Sequence, residues 1–232
     1  MRSSRWSALG NTYLLVESAE GERLDADRIR KLCRDADGAV EVLGVSGAEA
    51  QVVIWNRDGS TAELSGNGTR IAARWLAERT GLRQVQIRVG DRQVAARLLD
   101  DGAVETDLGQ FSVGGPEWVD AVELIRVTVG NPHAVVPGDP GEVEQLGPLL
   151  VGHLRFPAGT NVEVARVDAP GEVTARVWER GVGETAASGT SAVAVAAATH
   201  GEGDVLVHFP GGDLNVRLEG GRAWVTGPAE RA

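Results

Sequence analysis

The sequence predicts an α+β protein built from two similar lobes, and three observations favour this fold class. Short β-prone runs outnumber helical runs, and each half of the chain has one long helix near its end. A Ser-Gly pair precedes each of those helices, at Ser65 and again about half a chain later at Ser188. Strands and helices do not alternate regularly, which argues against a parallel α/β sheet. We therefore predict an N-terminal lobe at 1–115 and a C-terminal lobe at 116–232, separated by the Gly-Gly-Pro run at 114–116.

The first half combines strands with two helices. Asp25 can cap a short helix that extends to residue 34. Apolar residues then recur at helical spacing over 69–79, and Gly81 ends that helix. The predicted strands lie at 12–16, 39–45, 51–55, 84–89, 93–99 and 103–107.

The second half follows a similar order. A short helix is predicted at 142–150, and the run at 191–199 is apolar on every side, as expected of a helix enclosed by a sheet. The predicted strands lie at 124–129, 134–136, 162–167, 173–178, 205–209, 214–218 and 223–226. Because the two halves share this order, we predict an internal repeat.

Composition excludes several classes of function. A formal net charge of −10 repels phosphate backbones, so nucleic-acid binding is not expected. No run approaches the ~18 apolar residues of a membrane span, and the first residues lack the apolar segment of a secretory signal, so we predict a cytoplasmic location. The single cysteine, Cys33, shares a helical face with Ile29 and Leu32, which indicates packing and excludes a disulfide framework within the chain. The remaining candidates for a binding partner are a small molecule and another protein.

The two Ser-Gly turns are candidates for ligand binding. Glycines before a helix expose unpaired backbone N–H groups, which together with the helix dipole can bind an anion such as a carboxylate. Helix capping by the serine is the structural alternative at either turn. Capping does not explain why both turns occur in a repeat beside Asn67, Glu179 and Arg180.

Two other interpretations have weaker support. The run at 181–186 reads G-x-G-x-x-A, but the acidic residue and the βαβ context of a dinucleotide-binding motif are missing. Ser188 could be a hydrolase nucleophile, yet neither Ser65 nor Ser188 lies in a G-x-S-x-G elbow. Only His133, of four histidines, lies in a motif-like turn.

A series of short motifs resembles the diaminopimelate epimerase family, in the same order along nearly the whole chain. They are LGN at 9–11, DG at 37–38, N-x-D-G-S at 56–60, SGNGTR at 65–70, GNPH at 130–133, RFP at 155–157, TN at 160–161, ERG-x-GET at 179–185, SGT at 188–190, FPGG at 209–212 and TGP at 226–228. The resemblance implies two pseudo-symmetric lobes, each a β-barrel-like antiparallel or mixed sheet around a central helix, with an amino-acid substrate between them.

The resemblance also implies an isomerase that inverts an amino-acid α-carbon, converting LL- to meso-diaminopimelate for lysine and cell-wall synthesis. In the family, one cysteine removes the α-proton and a second cysteine delivers a proton to the opposite face, with no cofactor and no metal. Ser65 and Ser188 stand at those cysteine positions, with His133 and Glu179 in support. The implied substrate contacts are Asn11, Asn56, Gly66, Asn67, Asn131, Asn161, Glu179, Arg180, Gly189 and Thr190. The oligomeric state stays open, with a homodimer among the alternatives.

The two serines are the main departure from the family pattern. A cysteine can be tuned to a thiolate near neutral pH, whereas a serine needs a strong adjacent base. Either both cysteines were replaced deliberately or the natural protein has diverged; Ser191, where the family usually has glycine, favours divergence. We therefore expect impaired epimerase chemistry, and the alternative is a non-catalytic homologue that binds an amino acid in the retained cleft.

Overall fold

The computed structural model of the chain describes residues 2–18, 22–62 and 65–232. Proximity of Cα atoms divides the chain into two compact units. The first unit is Met1–Asp107 together with Thr226–Ala232, and the second is Leu108–Val225. Residues 63–64, just before the Ser-Gly turn at Ser65, lie outside the described residues.

Strands dominate both units, which confirms the predicted α+β class. The helices are α1 (Ala26–Leu32), α2 (Gly66–Thr80), α3 (Val143–Leu150) and α4 (Gly189–Thr199). The strands up to residue 119 are β1 (Arg2–Ala8), β2 (Asn11–Glu17), β3 (Gly38–Ser46), β4 (Glu49–Asn56), β5 (Gln84–Val89), β6 (Arg92–Leu98), β7 (Val104–Gln110) and β8 (Ser112–Val119). The later strands are β9 (Val122–Thr128), β10 (Pro132–Pro137), β11 (Asn161–Ala169), β12 (Glu172–Glu179), β13 (Gly183–Thr185), β14 (Gly203–Phe209), β15 (Gly212–Glu219), β16 (Arg222–Gly227) and β17 (Glu230–Arg231).

The pairing of these strands repeats from one unit to the other. In the first unit β2–β3 is parallel, β3–β4 antiparallel, β4–β5 parallel and β5–β6 antiparallel. In the second unit β10–β11 is parallel, β11–β12 antiparallel, β12–β14 parallel and β14–β15 antiparallel. The helices α2 and α4 connect corresponding strands, as do α1 and α3. The structure therefore confirms the predicted pseudo-symmetric halves.

Helix α2 is the central element of the first core. Ser65 caps it, since its Oγ accepts a hydrogen bond from Gly68 N at 3.2 Å. Gly81 ends it with a left-handed φ of 73°, as the sequence predicts. Ile71 and Leu76 are fully buried among strand residues such as Ile54. Burial of this face holds the start of the helix against the sheet.

Helix α4 has the corresponding place in the second unit. Its alanines and valines from Ala192 to Ala197 are buried on every side, as the apolar run predicts. Ser188 is its N-cap residue, but the Ser188 side chain makes no capping hydrogen bond. The two helix starts therefore share a backbone plan and differ in how the serine is held.

The segment at 114–116 lies inside β8 rather than in a linker. β8 pairs with β9, and its register shifts between Val113 and Pro116, so the two glycines form a bulge in the ladder. The chain also returns to the first unit from Thr226 onward, where β17 pairs with β1. The compact units thus differ from the predicted ranges at both ends of the second half.

Two smaller expectations can be compared with the fold. Cys33 is fully buried beside Ile29, as predicted, and burial raises the pKa of its thiol. Among the described residues, no helix combines the length and the apolar character needed to cross a membrane.

Candidate active site

The first candidate cluster comprises Tyr13, Ser65, Asn67 and Arg70, all in the first unit. Register places Tyr13 of β2 beside Gly38 of β3, and Gly38 beside Asn56 of β4. A Cβ on Gly38 would lie only 2.8 Å from the Tyr13 ring, so a glycine is required for the ring to lie there. The Tyr13 hydroxyl is 3.4 Å from Ser65 Oγ. The end of the sheet and the start of α2 therefore meet at Ser65.

Arg70 places a positive charge inside this cluster. Its side chain is fully buried; Nη2 donates to Asn67 Oδ1 at 2.5 Å and Nε donates to Pro228 O at 3.5 Å. Within the described residues, Nη1 is buried without a partner. Burial lowers the pKa of Arg70 to about 10, and the nearby Tyr13 opposes that shift. The guanidinium is still charged at neutral pH.

The other predicted residues of the first unit differ in their partners. Asn11, half-buried, donates from Nδ2 to Leu9 O at 3.4 Å. Asn56 donates from Nδ2 to Ser60 Oγ at 3.0 Å, which stabilises the turn after β4. Gly66 is buried at the first position of α2.

The second candidate cluster comprises Asn131, His133, Glu163, Ser188 and Thr190, all in the second unit. His133 of β10 is fully buried between two oxygens: Nδ1 is 2.7 Å from Glu163 Oε1 and Nε2 is 2.9 Å from Asn131 Oδ1. Asn131 Nδ2 donates to Thr190 Oγ1 at 3.5 Å. Thr190 Oγ1 lies 3.5 Å from Ser188 Oγ. Hydrogen bonds thus run from a buried carboxylate to the start of α4, short at the carboxylate end and long at Ser188.

Glu179 lies at the end of β12, next to this cluster. Val162 of β11 pairs with Trp178 of β12, and Asn161 and Glu179 are the next residues at that end of the two strands. Thr185 Oγ1 donates to Glu179 Oε1 at 2.5 Å. Burial raises the pKa of Glu179 and the charge of Glu163 raises it further, while the Thr185 hydrogen bond and His133 lower it. Glu179 therefore favours its protonated form more than an exposed glutamate does.

Asn161 and Arg180 support the turn beside Glu179. Asn161 pairs in register with His133, and its Oδ1 accepts from Arg180 N at 2.9 Å. The exposed Arg180 side chain donates from Nη1 to Ala158 O at 2.5 Å. It crosses Gly159, whose φ is +71° and where a Cβ would lie 2.6 Å from Arg180 Cδ. Glycine at 159 is therefore needed for both backbone and space.

Six of the thirteen predicted residues belong to these two clusters, each within its own unit: Ser65 and Asn67 in the first, and Asn131, His133, Ser188 and Thr190 in the second. Sequence reasoning missed Tyr13, Arg70, Glu163 and Thr185. Arg70 and Glu163 did leave a signal, because each is a charged residue within a mostly apolar, buried element. Tyr13 and Thr185 left none, since an aromatic or a threonine is ordinary at a strand position. Within the described residues, no three His, Cys, Asp or Glu side chains form a metal-binding group.

Comparison with known proteins identifies the family. Residues 6–114 and 125–231 match the family described as diaminopimelate epimerase. The chain belongs to the diaminopimelate epimerase family. It is 32% identical to the diaminopimelate epimerase of Synechococcus sp. (strain JA-3-3Ab), over 97% of this chain and 94% of the relative.

Solved structures of low sequence identity share the fold of this chain. A predicted epimerase from Pseudomonas aeruginosa superposes with a TM-score of 0.73 at 17% identity, over 100% of this chain and 96% of the other. A hydroxyproline epimerase from Agrobacterium vitis gives 0.69 at 16% identity, over 99% and 88%. Membership and fold together support an amino-acid epimerase or isomerase.

Proposed function

We propose that this member of the family inverts the α-carbon of diaminopimelate by a two-base route without a cofactor, slowly, with Ser65 and Ser188 at the base positions. The observation that carries the proposal is the repeated cluster: a serine at the start of a buried helix, beside an asparagine fixed by a buried charged network. Substrate specificity for diaminopimelate rests on the family alone.

The helix starts supply groups for binding the substrate α-carboxylate. Gly66 and Gly189 are the first residues of α2 and α4, where backbone N–H groups lack partners within the helix. N–H groups at a helix start favour an anion. Donors aimed at the carboxylate also stabilise the negative charge that develops when the α-proton leaves.

The proposed proton transfers conserve atoms and charge. One base removes the α-proton from one face of the substrate, and the group at the other position gives a proton to the opposite face. The carbon inverts, and each group is left in the protonation state that the other had before. The proposal requires Ser65 and Ser188 to reach opposite faces of the same α-carbon.

Serine makes this step slow. Among the contacts of the described residues, the Oγ atoms of Ser65 and Ser188 meet hydroxyl groups and a backbone N–H, but no imidazole or carboxylate. A hydroxyl without an adjacent base is a poor proton acceptor. We assign His133 and Glu179 supporting roles, in setting the charge near position 188.

Hydrogen exchange into D₂O tests the proposal. The α-hydrogen of LL- and meso-diaminopimelate is followed by NMR with the natural chain, Ser65→Cys, Ser188→Cys and the double variant. We expect the double variant to exchange at least ~10²-fold faster, because acid–base catalysis by a suited group contributes about 10² to 10⁴. Ser191→Cys is the matched control, since Ser191 is a fully buried serine of the same helix, and it should leave the rate unchanged.

The possible outcomes separate the alternatives. If calorimetry shows that diaminopimelate binds but no form exchanges its α-hydrogen, the chain is an amino-acid-binding homologue. If diaminopimelate neither binds nor exchanges while another amino acid does, the substrate assignment is wrong. The cytoplasmic location and the homodimer stay predictions.

A further inference from the structure

Glu163 is a buried acid in an otherwise apolar strand. It lies in β11 between Val162 and Val164, and its side chain has no exposed surface. In the part of the chain that the structure describes, only Oε1 has a partner, His133 Nδ1, while Oε2 is buried without one. Burying a carboxylate with a single hydrogen bond costs free energy, so a purely structural role would be served better by a third valine.

The orientation of the Asn131 amide in the structure determines where protons lie on His133. Both ring nitrogens face oxygen atoms, Glu163 Oε1 and Asn131 Oδ1. If Glu163 is ionised, the ring must be an imidazolium that donates from both nitrogens. If Glu163 is protonated, it donates to Nδ1 and the neutral ring keeps its proton on Nε2. In both cases Nε2–H donates to Asn131 Oδ1.

The hydrogen bond from His133 determines which way the Asn131 amide group faces. Since its carbonyl oxygen is held by His133, its Nδ2 group must face the other way, where it donates to Thr190 Oγ1 at the start of α4. We infer that Glu163 is a positioning residue: through His133 it holds Asn131 with its N–H donors directed to the start of α4. An acceptor such as a carboxylate oxygen is the ligand group that this orientation suits. The inference adds a residue to the proposed active site, but it can be tested without turnover.

Side-chain NMR of ¹⁵N-labelled protein at pH 7 tests the inference. His133 and Asn131 signals are assigned with His133→Gln and Asn131→Asp. We expect a proton on His133 Nε2 in the natural chain. Glu163→Val, which suits the apolar strand, should shift the His133 and Asn131 signals, because Nδ1 loses its partner and the ring can change tautomer. Glu163→Gln should keep the proton on His133 Nε2, since its amide can donate to Nδ1.

Glu41→Val is the matched control. Glu41 is a buried glutamate in β3 of the first unit, so its replacement should lower the melting temperature and leave the His133 and Asn131 signals in place. An unprotonated Nε2 in the natural chain would overturn the inference, because Asn131 would then face the other way. It would also be overturned by unchanged signals in Glu163→Val, by the same shifts in Glu41→Val, or by an unprotonated His133 Nε2 in Glu163→Gln. None of these readouts depends on epimerase activity.

Discussion

The two clusters share a backbone plan and carry different charges. A glycine with positive φ, Gly10 at 76° and Gly130 at 73°, precedes an asparagine in each unit, and two residues later comes Tyr13 or His133. Each of these rings lies at the end of a parallel strand pair. The repeat therefore determines where polar side chains lie, but not which charge they carry.

The charges differ because different side chains occupy the buried positions. The first cluster holds Arg70, a cation without a carboxylate among its contacts in the described residues, bonded to Asn67. The second holds Glu163 with His133, and Glu179 is close by. A buried cation favours an anion at position 65. The Glu163–His133 pair has no net charge in either protonation state, and Glu179 favours its protonated form, so position 188 lacks that stabilisation.

The buried glutamates of the two units also differ in role. Glu41 is three residues after Gly38, whereas Glu163 is two residues after Asn161, so their side chains lie on opposite faces of corresponding strands. Glu41 accepts hydrogen bonds from Ser18 Oγ, Leu24 N and Trp55 Nε1 at 2.8 to 3.0 Å. Glu41 therefore connects three segments of the first unit, whereas Glu163 forms a hydrogen bond with the His133 ring.

The largest expected effect distinguishes these two acids. Glu41→Val should lower the free energy of unfolding by about 2 to 4 kcal/mol, because the donors of Leu24 and Trp55 lose their acceptor. Glu163→Val should cost about 1 kcal/mol or less, since losing one hydrogen bond is offset by relief of burying the carboxylate. Urea denaturation measures both values. Equal losses would contradict the assignment of different roles.

The next effect concerns the two serine positions. Ser65→Cys and Ser188→Cys place a thiol reporter in each cluster, and alkylation by iodoacetamide is followed against pH. We expect Cys at 65 to react about tenfold faster at pH 7, the change that one pKa unit produces, because Gly68 N and Arg70 stabilise its thiolate. The natural chain is the control for Cys33, which is buried.

Arg70→Met tests whether the buried cation causes the difference in alkylation rate between positions 65 and 188. It removes the buried cation and keeps an apolar side chain of similar length, so it should slow alkylation at 65 and leave position 188 unchanged. A thiol at 188 that reacts as fast as the thiol at 65 would show that the buried charges do not control the two positions.

The smallest expected effect is the pH dependence of the free energy of unfolding that Glu179 causes. A raised pKa in the folded state means that the folded protein keeps a proton which the unfolded chain releases above about pH 4.5, the ordinary value. The free energy of unfolding should therefore fall as pH rises from that value through the folded-state pKa. Glu179→Gln should be more stable than the natural chain at pH 7 and equal to it at pH 4, by thermal denaturation. The control is Glu202→Gln at an exposed site, and a Glu179→Gln difference that does not change with pH would contradict this prediction.

Local patterns predicted most elements. The helix from residue 69 to 79, its Gly81 stop and the strand at 84–89 appear in the structure as α2 and β5. β1, β8, β13 and β17 were not predicted. β8 contains Gly-Gly-Pro, a local pattern that predicts the end of a strand. The segment is nevertheless a strand, because its pairing with β9 accommodates a bulge at the two glycines.

The α+β class, the repeat, the two serine-headed helices and the family can all be predicted from the sequence, since each depends on local spacing or on ordered motifs. What surrounds each serine depends on the tertiary structure. Tyr13 contacts Ser65 across 52 residues, and Glu163 contacts His133 across 30, through strand register that no local pattern contains. The charge at each cluster depends on burial and on these distant partners, so only the folded chain could show that the two halves of one repeat are electrically different.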